Sequence, residues 1–429
     1  MDNRSRSNLT SPLDSQSNSP TNVDTPATET SSLFEDINLG ALLRNHPFHE
    51  QYILVTGGLG FIGSHTTLEL LKADYNVIII DNLSNSYTHV LDRIRKLATE
   101  YHERRGSPVP SLTLHEHDYR DVNALQNLLK TYELPLHWGS PKSKIAGVIH
   151  FAAHKAVEES IRNPLKYYSN NVTGLVDFVS TLGDFGIKTF IFSSSATVYG
   201  TIANSGVPLK EEHCTHKQEV LQTRDGTNYI VEAGSTGITN PYGRTKWMCE
   251  AILSDVAASD PEWTIVALRY FNPIGCDSSG LLGEDPKGKP TNLLPVVVNV
   301  MTGRSPELQM FGTDWDTNDG TAVRDFIHVT DLARGHIAAL DTANGGKLRE
   351  NFRAFNLGTG RGYSVNEVVT TMEAVSSQPI PKKAVDRRPG DVGYCVAAAS
   401  RSQDELKWKT EKSLTDACVD ICNFLKSNP

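Results

Sequence analysis

Of the 14 tyrosines in this 429-residue chain, only Tyr242 is followed four positions later by a lysine, Lys246. On a helix two residues at that spacing share one face. An ammonium there stabilises phenolate over phenol and lowers a pKa that is ordinarily about 10. A tyrosine so paired could take a proton from an alcohol. A single Tyr-x-x-x-Lys arises by chance in a chain with this many tyrosines. The run Ser193-Ser194-Ser195 supplies the missing partner, a hydroxyl able to hold the oxygen that the phenolate deprotonates.

A second set of residues points to a dinucleotide. Gly57, Gly60 and Gly63 form a G-x-x-G-x-x-G string within Gly57-Gly58-Leu59-Gly60-Phe61-Ile62-Gly63. Without Cβ atoms the turn can tighten and the backbone can approach a pyrophosphate. The helix that follows offers free N–H groups and the positive end of its dipole. Asp81 lies about 20 residues further on, where a carboxylate accepts from ribose hydroxyls and repels a 2′-phosphate, which favours NAD over NADP. Asp118, in His117-Asp118-Tyr119, sits where a third strand would end and could hydrogen-bond adenine.

These groups need a scaffold, and the hydrophobic pattern describes one. Tyr52 to Thr56, Val77 to Ile80, Gly147 to Phe151, Thr189 to Phe192 and Thr264 to Leu268 are short apolar runs rich in β-branched residues. Such runs read as strands covered by helices on both faces. Helical spacing lies between them, at Ile62 to Leu71, Val122 to Tyr132, Asn171 to Phe185 and Lys246 to Ala258. Alternating β and α predicts an α/β fold, a Rossmann-type doubly wound parallel sheet with the chemistry at its carboxyl edge. Beyond residue 272 prolines and glycines become frequent and the elements short. This predicts a smaller C-terminal lobe over 273–429, with some segments returning to the dinucleotide-binding domain of 49–272. Residues 213–239 are polar and read as a long loop, functional or inserted. Residues 1–48, rich in Ser, Thr, Asn and Pro, cannot offset the entropy of ordering and read as a disordered tail.

Composition narrows the function. With 50 acidic and 41 basic residues the formal net charge is −9, which gives no general field for nucleic acid or an anionic membrane. No apolar run approaches the roughly 20 residues of a membrane span. The six cysteines show no CxxC pair and read as reduced thiols of a cytoplasmic protein. The 14 histidines form no ligand-spaced cluster, so no metal is expected. Asn8-Leu9-Thr10 and Asn171-Val172-Thr173 match glycosylation acceptors by chance in a chain without a secretion signal.

Four blocks carry a resemblance: Gly57 to His65, Phe192-Ser193-Ser194-Ser195-Ala196-Thr197-Val198-Tyr199-Gly200, Asn240-Pro241-Tyr242-Gly243, and Arg269-Tyr270-Phe271-Asn272-Pro273. Together they resemble the extended short-chain dehydrogenase/reductase family, and within it the UDP-hexose 4-epimerases. The resemblance runs from about Tyr52 to Leu425. It implies tightly held NAD and no net redox change. Tyr242 would take the sugar 4-OH proton while hydride passes to the nicotinamide. Ser195 would hold the oxygen and Lys246 would tune Tyr242. The 4-keto sugar would then turn and recover hydride on its other face, interconverting UDP-glucose and UDP-galactose. On the cofactor side the resemblance places Phe61, Ile62, Asn82, Tyr119, Phe151, Ala152, Lys155, Asn170 and Phe271. On the UDP-hexose side it places Asn272, Asn292, Leu293 and Phe311, the pyrophosphate arginines Arg324 and Arg388, and Asp391 at the uridine ribose. It also implies a homodimer formed through two long helices, one starting near Tyr167 and one carrying Tyr242.

The chain departs from that pattern in three places. Ala153 and His154 follow Phe-Ala where the family often has Gly. Residues 213–239 lengthen the Ser195–Tyr242 segment by about twenty. Cys395 stands at the position that distinguishes sugar size in the family, where bacterial members often carry Tyr, and the smaller side chain implies room for the N-acetyl group of UDP-GlcNAc and UDP-GalNAc. Two rival readings remain open. A nucleotide-sugar dehydratase or decarboxylase would place an acidic residue just after the strand-end hydroxyl, because elimination needs another acid or base; here Ala196 and Thr197 follow. A non-enzymatic NAD-sensing module would have no reason to keep the hydroxyl, phenol and ammonium together.

Overall fold

The computed structural model describes residues 50–134, 142–223, 225–288 and 290–428. The tail expected at 1–48 lies outside them. The sheet begins with β1 (Tyr52–Thr56), β2 (Asn76–Asp81), β3 (Leu112–Glu116), β4 (Ile145–His150) and β5 (Thr189–Ser195). With β8 (Thr264–Tyr270) and β12 (Phe352–Leu357) these make seven parallel strands in the order β12-β8-β5-β4-β1-β2-β3. The strand order reverses between β1 and β4, which opens a crevice at their carboxyl ends.

The apolar runs are continuous because both sheet faces are covered. Ile53, Val55, Val77 and Ile79 enter one core with the helices α1 (Phe61–Lys72) and α2 (His89–Arg105). Their neighbours Leu54, Ile78, Ile80 and Val148 enter a second core with α3 (Val122–Lys130) and α4 (Gly174–Asp184). A side-chain period of two sends alternate residues to opposite faces, and here each face finds apolar cover.

The segment expected as a loop at 213–239 contains a hairpin. Strands β6 (Glu219–Gln222) and β7 (Asn228–Val231) pair antiparallel, with Val220 opposite Ile230. The catalytic candidate Tyr242 opens α5 (Pro241–Ser259), a helix that begins five residues before the expected Lys246. The helix starts there because the Asn240 side chain accepts from the Gly243 N–H at 2.8 Å and Pro241 occupies its first turn. The helical run expected from Asn171 starts at Pro164 and passes through a π-helical turn at Tyr168–Thr173 before α4.

The rest of the chain builds a second cluster and also returns to the sheet. α6 (Leu293–Met301), β10 (Leu308–Phe311) and β11 (Val323–His328) precede α7 (Val329–Asn344), which packs against α1 and the sheet. β11 pairs with β9 (Asn272–Ile274), β13 (Gly362–Ser364) and β15 (Tyr394–Cys395), while β10 pairs with β14 (Lys382–Val385). With α8 (Val365–Ser376) and α9 (Leu414–Ser427) they enclose a core that includes Cys418; Cys422 lies at its partly exposed margin. Among the described residues no helix is long and apolar enough to cross a membrane.

Candidate active site

The glycine turn works by close approach. A Cβ on Gly63 would stand 2.1 Å from the Gly57 carbonyl oxygen, so only hydrogen fits where α1 leaves the turn. Gly57 itself has φ +70, in the left-handed region that glycine enters without strain. Asp81 fastens the turn from the side. One carboxylate oxygen accepts from the Leu59 N–H at 3.0 Å, and the other accepts from Leu83 N–H at 2.9 Å and the Ser86 hydroxyl at 2.8 Å. Asp118 accepts from the Asn82 amide at 3.0 Å and from both ends of the Arg120 guanidinium. The Arg120 bonds hold it at about 2, well below an ordinary carboxyl.

The turn opens on a cavity of about 570 Å³ at the crevice. Of the expected cofactor residues, Gly57, Gly60, Phe61, Ile62, Gly63, Asp81, Asn82, Tyr119, Phe151, Ala152, Lys155, Asn170 and Phe271 line it. Ser195, Tyr242 and Lys246 line the same cavity, together with Asn272, Asn292 and Leu293. Asp118 stands behind Asn82 rather than on the wall. The Phe-Ala departures, Ala153 and His154, are also on the wall. Glu284, Asp285 and Pro286 also line the cavity, and Glu284 accepts from Lys155 at 3.4 Å and from Asn292 at 2.9 Å. Lys287 follows them in the chain and donates to the Leu83 carbonyl at 2.6 Å.

Ser195 ends β5 and Tyr242 starts α5, so strand end and helix start meet across the cavity. The expected lowering of the Tyr242 pKa by Lys246 is not what the structure gives. Burial pushes the phenol up to about 12, and a hydrogen bond with Ser195 only partly offsets it. Lys246 Nζ lies 6.0 Å from the centre of the Tyr242 ring and donates to the Ser193 carbonyl at 2.5 Å. Its own burial pulls the ammonium down to about 8. Desolvation therefore outweighs the mutual stabilisation that spacing alone suggested.

The second cluster of expected ligands assembles beside this cavity. Asp391 accepts from Arg324 at 2.5 Å and from Arg388 at 3.3 Å, and the Arg388 guanidinium lies 4.7 Å from the Phe311 ring centre. Cys395 is buried next to Arg324 in the β11–β15 register. These five residues do not line the cavity; Phe326, two positions past Arg324, does. Among the described residues no group of three His, Cys, Asp or Glu is placed to hold a metal.

Several residues of the site went unread in the sequence. Thr197 donates its hydroxyl to Ser195 at 3.0 Å from the cavity wall, and only its nearness to Ser195 signalled it. Asn171 is buried and bridges the His154 carbonyl and the Thr245 hydroxyl, which rules it out as a glycan acceptor in the folded chain. Glu250 is wholly buried one turn beyond Lys246, where it meets Arg269 at 2.6 Å. Burial raises the Glu250 carboxyl, but Arg269 and the bond to His216 prevail and keep it ionised, well below the usual range.

Comparison with known proteins supports the same assignment. Residues 53–358 match the model of the NAD dependent epimerase/dehydratase family. The chain is 43% identical over 377 residues to UDP-glucose 4-epimerase 2 of Arabidopsis thaliana, covering 88% of this chain and 95% of that protein. It is 43% identical over 385 residues to the UDP-glucose 4-epimerase of Homo sapiens, covering 88% and 97%. The solved structure of UDP-glucose 4-epimerase from Bifidobacterium longum in complex with NAD+ and UDP superposes with a TM-score of 0.72 at 41% identity, covering 88% of this chain and 99% of that one. The family match runs from β1 to just past β12, the whole span of the parallel sheet, and thus takes in the glycine turn and the Ser-Tyr-Lys set together: the chain belongs to the NAD dependent epimerase/dehydratase family.

Proposed function

We propose that this chain reversibly inverts C4 of UDP-hexoses, interconverting UDP-glucose and UDP-galactose with NAD retained throughout the cycle. The observation that carries the reading is the single cavity shared by the glycine turn and by Ser195, Tyr242 and Lys246. When bound, the nicotinamide accepts a hydride and returns it, and its positive charge favours the Tyr242 phenolate. Tyr242 takes and returns the 4-OH proton, and Ser195 orients the oxygen. Lys246, anchored on the Ser193 carbonyl, supplies positive charge nearby. Arg324 and Arg388, held by Asp391, suit a pyrophosphate because guanidinium donors bind phosphate bidentately. No carboxylate follows Ser195, which disfavours dehydration. UDP-galactose deuterated at C4 tests the reaction: the label is expected in UDP-glucose of unchanged composition. Label appearing in solvent, or a product short of one water, would overturn it.

Turnover of UDP-GlcNAc and UDP-GalNAc as well is proposed from the resemblance, which puts the small Cys395 at the sugar-size position; here it is buried beside Arg324, off the cavity wall. Cys395→Tyr is expected to lower turnover of the N-acetylated sugar about tenfold or more relative to UDP-galactose; an unchanged ratio removes the steric argument. A homodimer is proposed through the helical stretch 164–184 and α5. Leu165 is 79% exposed, and Ile161 and Val176 also face outward, an apolar group that a partner would cover. Light scattering at twice the chain mass checks this. All six cysteines are free, as suits the reducing cytoplasm; fractionation of cells expressing the full chain tests that location.

A further inference from the structure

The residues 213–239 touch the site at three points. Near their start, the His216 side chain is buried, and its Nε2 lies 2.8 Å from Oε2 of Glu250. Glu250 stands one turn beyond Lys246 and also accepts the hydroxyl of Ser194, the neighbour of Ser195. Near their end, Ser235 donates to the Val198 carbonyl at 2.5 Å, and the Gly237 carbonyl accepts from the Thr201 N–H at 3.0 Å. Val198 and Thr201 belong to the 3-10 turn that leaves Ser195. Finally, Thr239 donates to the Gly390 carbonyl at 3.0 Å, between Arg388 and Asp391.

We propose that this segment clamps the strand end bearing Ser195 against the helix bearing Tyr242 and Lys246, with His216 as a positioning residue. Because Arg269 keeps Glu250 ionised, the carboxylate accepts and the imidazole donates from Nε2. The other ring nitrogen, Nδ1, is buried without a partner among the described residues. An apolar side chain of similar size between Trp247 and Phe352 would avoid that cost. The imidazole is explained by the carboxylate it fixes. Without it Glu250 keeps Arg269 but loses one restraint, and Ser194 and the Lys246 turn loosen together. Displacements of about 1 Å at reacting groups cost up to roughly 100-fold in rate.

The kinetic part of this inference rests on the epimerase reading. The test uses the full chain with its bound NAD, as wild type, His216→Ala and His216→Gln. His216→Ala is expected to lower kcat at least about fivefold, with KM for UDP-galactose and NAD content within about twofold of wild type. His216→Gln, whose amide can still donate to Glu250, is expected to restore kcat to within about twofold. Hydrogen exchange across residues 242–250 is expected to quicken in the alanine variant alone. Equal exchange in all three proteins, an unchanged kcat in His216→Ala, or equal losses in Ala and Gln would overturn the clamp. A wild-type chain inert toward UDP-galactose would count against the reaction, while the exchange comparison would still decide the clamp.

Discussion

Tyr242 and Lys246 meet opposite effects of the same burial. A phenol held near 12 resists giving up its proton, and an ammonium held near 8 readily gives up its own. The free site is therefore poised with a neutral phenol, and positive charge brought into the cavity favours the phenolate. Removing the hydroxyl isolates that role. Tyr242→Phe keeps the ring, the helix start and the contact of its backbone N–H with Ser160 at 3.1 Å. Turnover of UDP-galactose should fall by about 10²–10⁴, the usual worth of a positioned acid or base. Bound NAD, read from the absorbance of the purified protein, should be unchanged. A variant that lost NAD in proportion to activity would show Tyr242 to be a binding residue and not a proton shuttle.

At the scale of elements, the glycine turn sets how closely α1 can approach β1. Gly63→Ala would press a methyl within 2.1 Å of the Gly57 carbonyl oxygen and 2.9 Å of the Gly58 Cα, both main-chain atoms that cannot swing aside. The helix must shift, at a cost of about 1–3 kcal/mol, and its N-terminus leaves the position from which it could face a pyrophosphate. The variant should purify with little NAD and melt at lower temperature. Gly288→Ala, where a Cβ meets nothing within 4 Å, should change neither. Retained NAD in Gly63→Ala would show that the turn tolerates bulk. The sequence made this turn and five of the seven parallel strands legible because each is a local pattern, glycine spacing in one case and apolar runs in the other; β3 and β12, broken by His115 and by Arg353 and Asn356, carry no such run. The hairpin was hidden because Val220, Tyr229 and Ile230 face outward and Leu221 and Val231 are only partly buried, leaving no buried stripe to read. Arg269 gave an unused signal. A charge inside the apolar run of β8 must have a buried partner, and Glu250 stands one turn past Lys246. The joining of Arg324, Arg388 and Asp391 was beyond any spacing rule, since β11 and the loop after β14 meet only in the fold; the resemblance alone pointed to them.

For the molecule as a whole, burial of the cysteines ties stability to alkaline pH. Burial raises every one of the six thiols: Cys214 to about 11, Cys249, Cys395 and Cys418 to about 12, and Cys276 and Cys422 in the same direction. In the unfolded chain a thiol ionises near 8.5. Below that pH both states hold the proton and the thiols leave stability untouched. Between roughly 8.5 and 11 the unfolded chain sheds protons that the fold keeps, so the native state binds more protons and loses stability as pH rises. Each thiol contributes up to about 1.4 kcal/mol per pH unit in that window. Lys246 acts in the opposite sense, because its folded value near 8 lies below an unfolded value near 10.4, and its contribution grows as pH rises between the two. One lysine stands against six thiols, and the buried phenols Tyr119, Tyr199 and Tyr242, all raised, join the thiols above about pH 10. The thiols should prevail. Urea denaturation in the presence of reductant, at intervals from pH 8 to 10.5, should give a steadily falling unfolding free energy. A flat or rising profile would mean that the thiols reach solvent in the native state, and Ellman's reagent would then label more than the partly exposed Cys422 before denaturant is added.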